Sequence, residues 1–209
     1  VGCVATAMGQ ILRYWQYPTS GIGSHSYSSD HGGQGYGDYG ILSADFANTT
    51  YQYNMMPNQL TANTGAAQVH AVAELLFHCG VSVEMMYGPQ GSGAYSTDVP
   101  SALQTFFGYP YCTRVSRSSY STDAWNLLIK TELDRLRPVY YNGQGDAGGH
   151  AFVCDGYDTD GYYHFNWGWS GNNNGYYLLH NLNPSTYEFN SQQAAIIGVR
   201  VPQSVQACQ

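Results

Sequence analysis

The sequence predicts an α+β fold, with an N-terminal helical part packed on a C-terminal antiparallel β-sheet. Two observations predict this class. Apolar residues recur at helical spacing before about residue 136, and apolar and polar residues alternate with period two after it. Because 209 residues fall within the range of one domain, we expect a single domain over 1–209. Its helix-and-loop part covers about 1–136 and its sheet part about 137–209.

Four segments carry the helical spacing. They are residues 3–17, 65–79, 97–107 and 121–136. Pro18 and Pro138 end the first and the last of these helices, and Ser121 or Thr122 is expected to cap the fourth. Residues 19–64 are rich in Gly, Ser, Tyr, Asn and Asp and show little periodicity, so they predict a long irregular stretch with room for short strands.

The second helix is expected to end at Gly80, since glycine suits the left-handed position just after a helix. Its predicted apolar stripe consists of Val69, Val72, Ala73, Leu76 and Phe77. A short strand over 81–87 and a Gly/Ser loop over 88–96 follow it. Ser96 or Thr97 is the expected N-cap of the third helix.

Five segments of alternating character predict the sheet. They are PVYYNG (138–143), HAFVCDGYD (150–158), GYYHFNWGW (161–169), GYYLLHNL (175–182) and AAIIGVRV (194–201). Gly, Asn, Asp and Pro turns separate them, so we expect successive strands of one antiparallel sheet.

Charge and composition exclude several classes of partner. Seven Lys and Arg against fourteen Asp and Glu give a net charge of −7, and no basic run is present. Nucleic acids and anionic membranes need such cations, so we expect neither as a partner. No apolar window is long enough to span a bilayer, and the opening VGCVATAM has no basic start, which predicts an internal piece of a longer precursor. Low Lys with many Tyr, Gly, Asn and Ser is typical of secreted bacterial proteins.

The five cysteines fit neither a zinc site nor a redox pair. Cys79 and Cys154 lie in apolar runs and are interpreted as buried small residues, and an odd count leaves at least one thiol outside any pairing within the chain. The pairing of Cys79, Cys112, Cys154 and Cys208 is left open. The histidines outside the candidate site show no metal-ligand spacing, so no metal or cofactor is expected.

Cys3 is the first candidate for chemistry. It opens the first predicted helix, where the partial positive charge of the helix N-terminus favours the nucleophilic thiolate. The preceding Gly2 leaves room for a substrate backbone to approach the sulfur. The alternative is a small buried residue at a helix start.

His150 and the NWGW segment supply the other two components. His150 begins a strand behind a glycine-rich loop, and the next strand should bring Asn166 or its neighbour alongside it. An Asn amide can hold the imidazole while Trp167 and Trp169 cover that bond from water. Together with Cys3 these residues have the make-up of a Cys-His-Asn constellation, the arrangement of papain-like cysteine proteases. Separately, each has an ordinary structural explanation.

Several motifs then resemble one family, in the same order and across nearly the whole chain. They are VGCVATAMGQILRYWQYP, ELLFHCGVSVEMMYGP, RPVYYNGQ, GGHAFVCDGY and YYHFNWGWSGNNNGYYLLHNLNP. These segments are similar to those of the streptopain family of cysteine peptidases (clan CA, family C10). The resemblance implies a papain-like fold and secretion as a zymogen with an inhibitory N-terminal prodomain. It also implies broad endopeptidase activity on proteins, with a hydrophobic P2 residue.

By this resemblance the nucleophile falls on Cys3 and the general base on His150. The resemblance leaves open whether Asn166 or Trp167 orients the imidazole; geometry favours Asn166, with Trp167 as the shield. The segments 88–96 and 143–149 resemble those that border the family's substrate cleft. In that family an upstream segment supplies an oxyanion-hole Gln, so we expect such a segment here, in the same chain or bound separately.

The sequence therefore predicts a secreted or surface-located bacterial cysteine endopeptidase that needs no cofactor. We expect loss of Asn166 to cost less activity than loss of Cys3 or His150. Two alternatives stay open: a catalytically inactive papain-like binding domain, and a transamidating enzyme that uses the same residues.

Overall fold

The computed structural model describes residues 1–32 and 35–203. These residues form two compact units, one of residues 1–110 with 201–203, and one of Tyr111–Arg200. The first unit is mainly helical and the second is built on an antiparallel sheet, so the α+β class is confirmed. The description of 1–209 as a single domain stays a prediction.

The first unit contains three helices and a two-stranded sheet. Their bounds are α1 Cys3–Trp15, β1 Ser24–Ser28, β2 Ile41–Asp45, α2 Ala66–Ser82 and α3 Val99–Phe107, with a 3₁₀ turn at Tyr53–Met55. β1 and β2 pair antiparallel within the stretch that was predicted to be irregular. α1 packs on α2, and the Cβ of a residue other than glycine at position 9 would lie only 2.4 Å from Leu76.

The buried face of α2 differs from the predicted one. Ala71, Leu75, His78 and Cys79 point into the core, whereas Val69 is 41% exposed. None of the predicted stripe is among the buried residues of α2, although Leu76 lies against position 9 of α1. His78 is buried because its Nδ1 lies 2.9 Å from the Tyr51 hydroxyl, which satisfies that nitrogen.

The predicted end of α2 and the strand after it were wrong. α2 continues through Ser82 and ends in a Schellman motif, in which the Met85 N–H donates to the Gly80 carbonyl and Glu84 adopts φ 49°. Gly80 lies inside the helix, and a glycine is required there because a Cβ would meet the Tyr87 hydroxyl at 2.0 Å. Of the expected strand 81–87, only Met86 pairs, in an isolated bridge with Gly93.

The second unit contains one helix and six strands. They are β3 Thr113–Ser116, α4 Thr122–Asp134, β4 Val139–Gly145, β5 Gly148–Tyr157, β6 Tyr163–Asn166, β7 Gly175–Tyr177 and β8 Ser191–Ile197. The strand order is β3-β8-β4-β5-β6-β7, and all pairs are antiparallel. Each of the five predicted strands corresponds to an observed one, although β6 and β7 are shorter than expected and β8 ends at Ile197 rather than at 201; β3 was not predicted.

The core of the second unit lies between α4 and one face of the sheet. Ser121 caps α4 by accepting a hydrogen bond from the Ala124 N–H at 3.2 Å. It is one of the two residues that were predicted to cap this helix. Trp125 and Ile129 of α4 pack with Phe152 and Phe165 of the sheet, all fully buried.

Cys154 belongs to this core and Cys79 to that of the first unit; both are free thiols, which confirms them as buried small residues. Cys208 lies outside the described residues.

Candidate active site

Cys3 is the first residue of α1, as predicted. Gly2 precedes it in extended conformation, and the first turn of the helix contains no acidic side chain. The partial positive charge of the helix N-terminus is therefore not opposed by a carboxylate of that turn, which favours a thiolate at this position. The Cys3 side chain is partly exposed, whereas Cys79, Cys112 and Cys154 are buried.

Gly2 has a packing reason that the sequence did not reveal. A Cβ at this position would lie 2.6 Å from Met85 Sδ and 2.8 Å from the Ser92 carbonyl oxygen. The second contact is with backbone, so a side chain at position 2 would displace the Gly/Ser loop 88–96. The predicted role of Gly2 was access for a substrate backbone; the structure adds that this loop lies directly against the residue before Cys3.

His150 lies on β5, paired with Gly143 of β4. Its Nε2 lies 2.8 Å from the backbone carbonyl oxygen of Trp167. A carbonyl oxygen only accepts hydrogen bonds, so Nε2 carries the hydrogen and the neutral ring keeps its lone pair on Nδ1. This tautomer makes Nδ1 the atom that can take up a proton.

Aromatic rings enclose the imidazole. Trp169 stacks on it at 4.8 Å between centroids and 23° between planes, and Phe189 lies 5.2 Å away. Phe152 and Trp167 complete the group at 5.7 and 6.5 Å. This burial lowers the pKa of His150 below its ordinary value, and the hydrogen bond to Trp167 partly opposes the shift.

The β5–β6 hairpin is confirmed, and its register defines the positions of Asn166 and Trp167. Asn166 pairs with Val153, and its Oδ1 accepts the Gly168 N–H at 3.0 Å. Asn166 thus shapes the turn that presents the Trp167 carbonyl to His150. A role of Asn166 in orienting the imidazole directly stays a prediction, as do the catalytic roles of Cys3, His150 and Trp167.

Sequence reasoning missed the segment that supports the other side of His150. A Cβ at Gly143 would lie 2.2 Å from the Phe189 carbonyl oxygen, and one at Gly145 would lie 2.0 Å from that of Glu188. Because both positions are glycine, the backbone at 188–189 can lie directly against β4. One of the two, Gly143, is the residue that pairs with His150. The Gly-x-Gly spacing within a strand was the available signal, since it marks close approach of another backbone.

A buried hydrogen-bonded chain holds the same segment from behind. Trp125 Nε1 donates to the Tyr141 hydroxyl at 2.8 Å, and this hydroxyl donates to Gln193 Oε1 at 3.0 Å. Gln193 Nε2 then donates to the Phe189 carbonyl at 3.2 Å. The chain connects α4, β4 and β8 to the ring that packs on His150.

No group of three His, Cys, Asp or Glu side chains within residues 1–32 and 35–203 is arranged to hold a metal ion. Over the same residues, no helix combines the length and the apolar character needed to cross a bilayer.

Comparison with known proteins identifies the family. The model of the peptidase C10 family matches residues 1–177. Streptopain of Streptococcus pyogenes is 37% identical over 207 residues, which cover 95% of this chain. The chain belongs to the peptidase C10 family. The resemblance to streptopain seen in the sequence motifs is thus confirmed.

Two further relatives extend the comparison within the C10 family. The thiol protease/hemagglutinin PrtT of Porphyromonas gingivalis is 37% identical over 206 residues. The active interpain A cysteine protease of Prevotella intermedia matches in structure, with a TM-score of 0.87 and 41% identity over 95% of this chain and 82% of that one. A prointerpain A fragment matches with a TM-score of 0.85 and 41% identity, over 96% of this chain and 63% of that one. The chain spans 52% of the length of streptopain and 23% of that of PrtT. All of these C10 relatives come from bacteria.

Buried histidines make the stability of this C10 chain depend on pH. Burial lowers the pKa of both His150 and His78 below the ordinary value of 6.5, so the unfolded chain binds more protons than the folded one once the pH falls below that value. We expect the contribution of these two histidines to the free energy of unfolding to be fully present above pH 6.5 and to be lost as the pH falls from 6.5 through their folded-state pKa values. Urea denaturation between about pH 7 and pH 5 measures this slope.

The matched variants are His150→Gln and His78→Gln, each of which should flatten the slope. His70→Gln on the exposed side of α2 should leave it unchanged. Stability that increases as the pH falls from 7 to 5 would contradict the assignment.

Proposed function

We propose that this protein is a cysteine endopeptidase that hydrolyses proteins or peptides, with Cys3 as nucleophile and His150 as general base. Membership of the peptidase C10 family supports the reaction class. The observation that carries the residue assignment is the hydrogen bond from His150 Nε2 to the Trp167 carbonyl, which leaves Nδ1 as the basic atom. Cys3 contributes a partly exposed thiol at a helix start.

The proposed reaction has two steps. The Cys3 proton passes to Nδ1 of His150, and the thiolate attacks the scissile carbonyl carbon. The C–N bond breaks as the imidazolium returns its proton to the leaving amine, which yields a thioester. Water then attacks the thioester while His150 takes one of its protons, and the C–S bond breaks to release the carboxylic acid and the thiol.

The environment of His150 suits both proton transfers. The Trp167 carbonyl holds the ring through Nε2 in the neutral and in the protonated state, because Nε2 carries a hydrogen in both. Trp169, stacked on the ring, excludes water from one of its faces. The Cys3 backbone N–H is the proposed donor to the developing oxyanion, and an upstream Gln is the proposed second donor.

Finer properties are proposed on the resemblance. They are broad specificity with a hydrophobic residue at P2, an inhibitory N-terminal prodomain, and secretion to the medium or the cell surface of a bacterium. The match to a prointerpain A fragment supports the prodomain, since that relative is described as a proprotein. The net charge of −7 supports the expectation that neither nucleic acid nor an anionic membrane is the partner.

The test is cleavage of casein by the purified protein, with and without an epoxide inhibitor of cysteine proteases. We expect cleavage that stops after one equivalent of inhibitor, and carboxylate termini even when a primary amine is added. Asn166→Ala should lower the rate less than His150→Ala, because the Trp167 carbonyl still holds Nε2. Intact casein together with an unreactive thiol would favour a binding domain instead, and substituted amides at the new termini would favour transamidation.

A further inference from the structure

The first unit contains a cavity of about 270 Å³ that the proposed catalytic residues do not line. Its walls come from His31, from residues just after α2 and from residues just before α3. The volume is below the range of about 300–1,000 Å³ typical of sites for whole small-molecule ligands. The cavity therefore suits a fragment of a larger ligand, such as one side chain.

The cavity lies on a hairpin that also contacts the residue before Cys3. Met86 and Gly93 pair across this hairpin. Met85 is fully buried and lies against Gly2, whereas its neighbours Glu84 and Met86 line the cavity.

The carboxylates of the cavity accept hydrogen bonds, and the His31 imidazole accepts one at Nε2 in the tautomer that carries its hydrogen on Nδ1. Glu84 and Asp98 contribute carboxylates, and His31 Nε2 is buried with no hydrogen-bond partner among the described residues. Glu84 uses Oε1 with His25 at 3.0 Å, and Asp98 uses Oδ1 with Thr97 at 3.2 Å, so each carboxylate keeps its second oxygen outside these bonds. A ligand with several donors and a positive charge satisfies such a set.

The remaining lining is apolar. Val83, Met86 and Ala94 can cover an alkyl stem, and the Tyr95 ring, 68% exposed, offers a face for a cation. The carboxylates and the imidazole are not arranged to converge on a metal ion. A metal ion needs ligands that converge on one point. A guanidinium group has five donors in a planar fork, so it can donate hydrogen bonds to acceptors that lie apart from one another.

We propose that this cavity binds the side chain of an arginine in a peptide, as a recognition site separate from the proposed catalytic residues. The guanidinium lies between the Glu84 and Asp98 carboxylates, and its alkyl stem packs on Met86 and Ala94. The assignment of the peptide as a substrate rests on the proposed function, whereas binding of the side chain does not.

Binding is tested by NMR on the purified protein, with Nα-acetyl-L-arginine N-methylamide as the probe and the corresponding citrulline compound as its neutral match. We expect a dissociation constant in the millimolar range, as for a single side chain, with shifts confined to His31 and residues 83–86 and 94–98. Citrulline should bind at least about tenfold more weakly, since it lacks the charge. The double variant Glu84→Gln with Asp98→Asn should lose binding, and the exposed Asp160→Asn should retain it.

Equal binding of the two probes, shifts centred on another part of the chain, or no shifts would overturn the proposal. The substrate role has its own measurement. For a cleaved peptide that contains arginine, the double variant should raise KM about tenfold and leave kcat unchanged, with no effect on the same peptide carrying citrulline. An unchanged KM with intact NMR binding would overturn the substrate role alone, and absence of any cleavage would count against the proposed function rather than against the cavity.

Discussion

Replacing Cys3 by alanine should lower the rate of casein cleavage by about 10³-fold or more, because the variant has no atom that can form the thioester. Folding should be little affected. Cys3 is partly exposed, and alanine is a good helix former at the start of α1. The measurement is the initial cleavage rate of wild type and variant at equal concentration, with circular dichroism to verify that both are folded.

Cys79→Ala is the matched control. Cys79 is fully buried in α2, and burial raises the pKa of its thiol well above the ordinary value, so it is unreactive in the folded protein. This variant should lose stability but keep its cleavage rate and its reaction with the epoxide. Iodoacetamide should modify Cys3 before Cys79, Cys112 or Cys154, in a background where Cys208 is serine. Turnover by Cys3→Ala would remove Cys3 from the proposed mechanism.

Trp125→Ala should give the largest loss of stability among core substitutions in the second unit. Trp125 is fully buried, and its removal leaves a large cavity between α4 and the sheet. We expect the free energy of unfolding to fall by about 3–5 kcal/mol, a large share of the total for a typical domain. The Tyr141 hydroxyl also loses its donor from Trp125 Nε1. Urea denaturation followed by circular dichroism measures the change.

Two variants separate the contributions to that loss. Tyr141→Phe keeps the ring but leaves Trp125 Nε1 and Gln193 Oε1 without their partner, so it should cost about 1–3 kcal/mol. Leu127→Ala lies on the same helix but is 65% exposed, and it should change stability by less than about 0.5 kcal/mol. If Trp125→Ala costs no more than Leu127→Ala, the core does not depend on this ring.

Patterns read along the chain were sufficient for most elements. The start of α1 at Cys3, the cap of α4 at Ser121 and the five sheet strands depend on residues near in sequence. One error lies at the end of α2. Gly80 was interpreted as the residue that ends the helix, but it lies inside α2, where the Tyr87 side chain packs against it, so this glycine marks a close contact rather than a helix end.

Part of the candidate site was predicted from the sequence, and part is seen only in the structure. Cys3, His150 and the NWGW segment were found from residue type, spacing and the resemblance to the C10 family. The hydrogen bond at His150 was not, because its acceptor is the backbone carbonyl of Trp167, a group that every residue has. Sequence patterns distinguish residues by their side chains. They do not indicate which backbone carbonyl accepts a hydrogen bond from a histidine.

The sequence by itself determined the α+β class, the family and the residues that carry the proposed chemistry, because these follow from local periodicity and from the identities of a few side chains. Only the tertiary structure decided which nitrogen of His150 is basic, why positions 143 and 145 must be glycine, and which carboxylates share a cavity with His31. Each of these depends on how closely segments distant in the chain approach one another, and that distance is set by packing rather than by neighbouring residues.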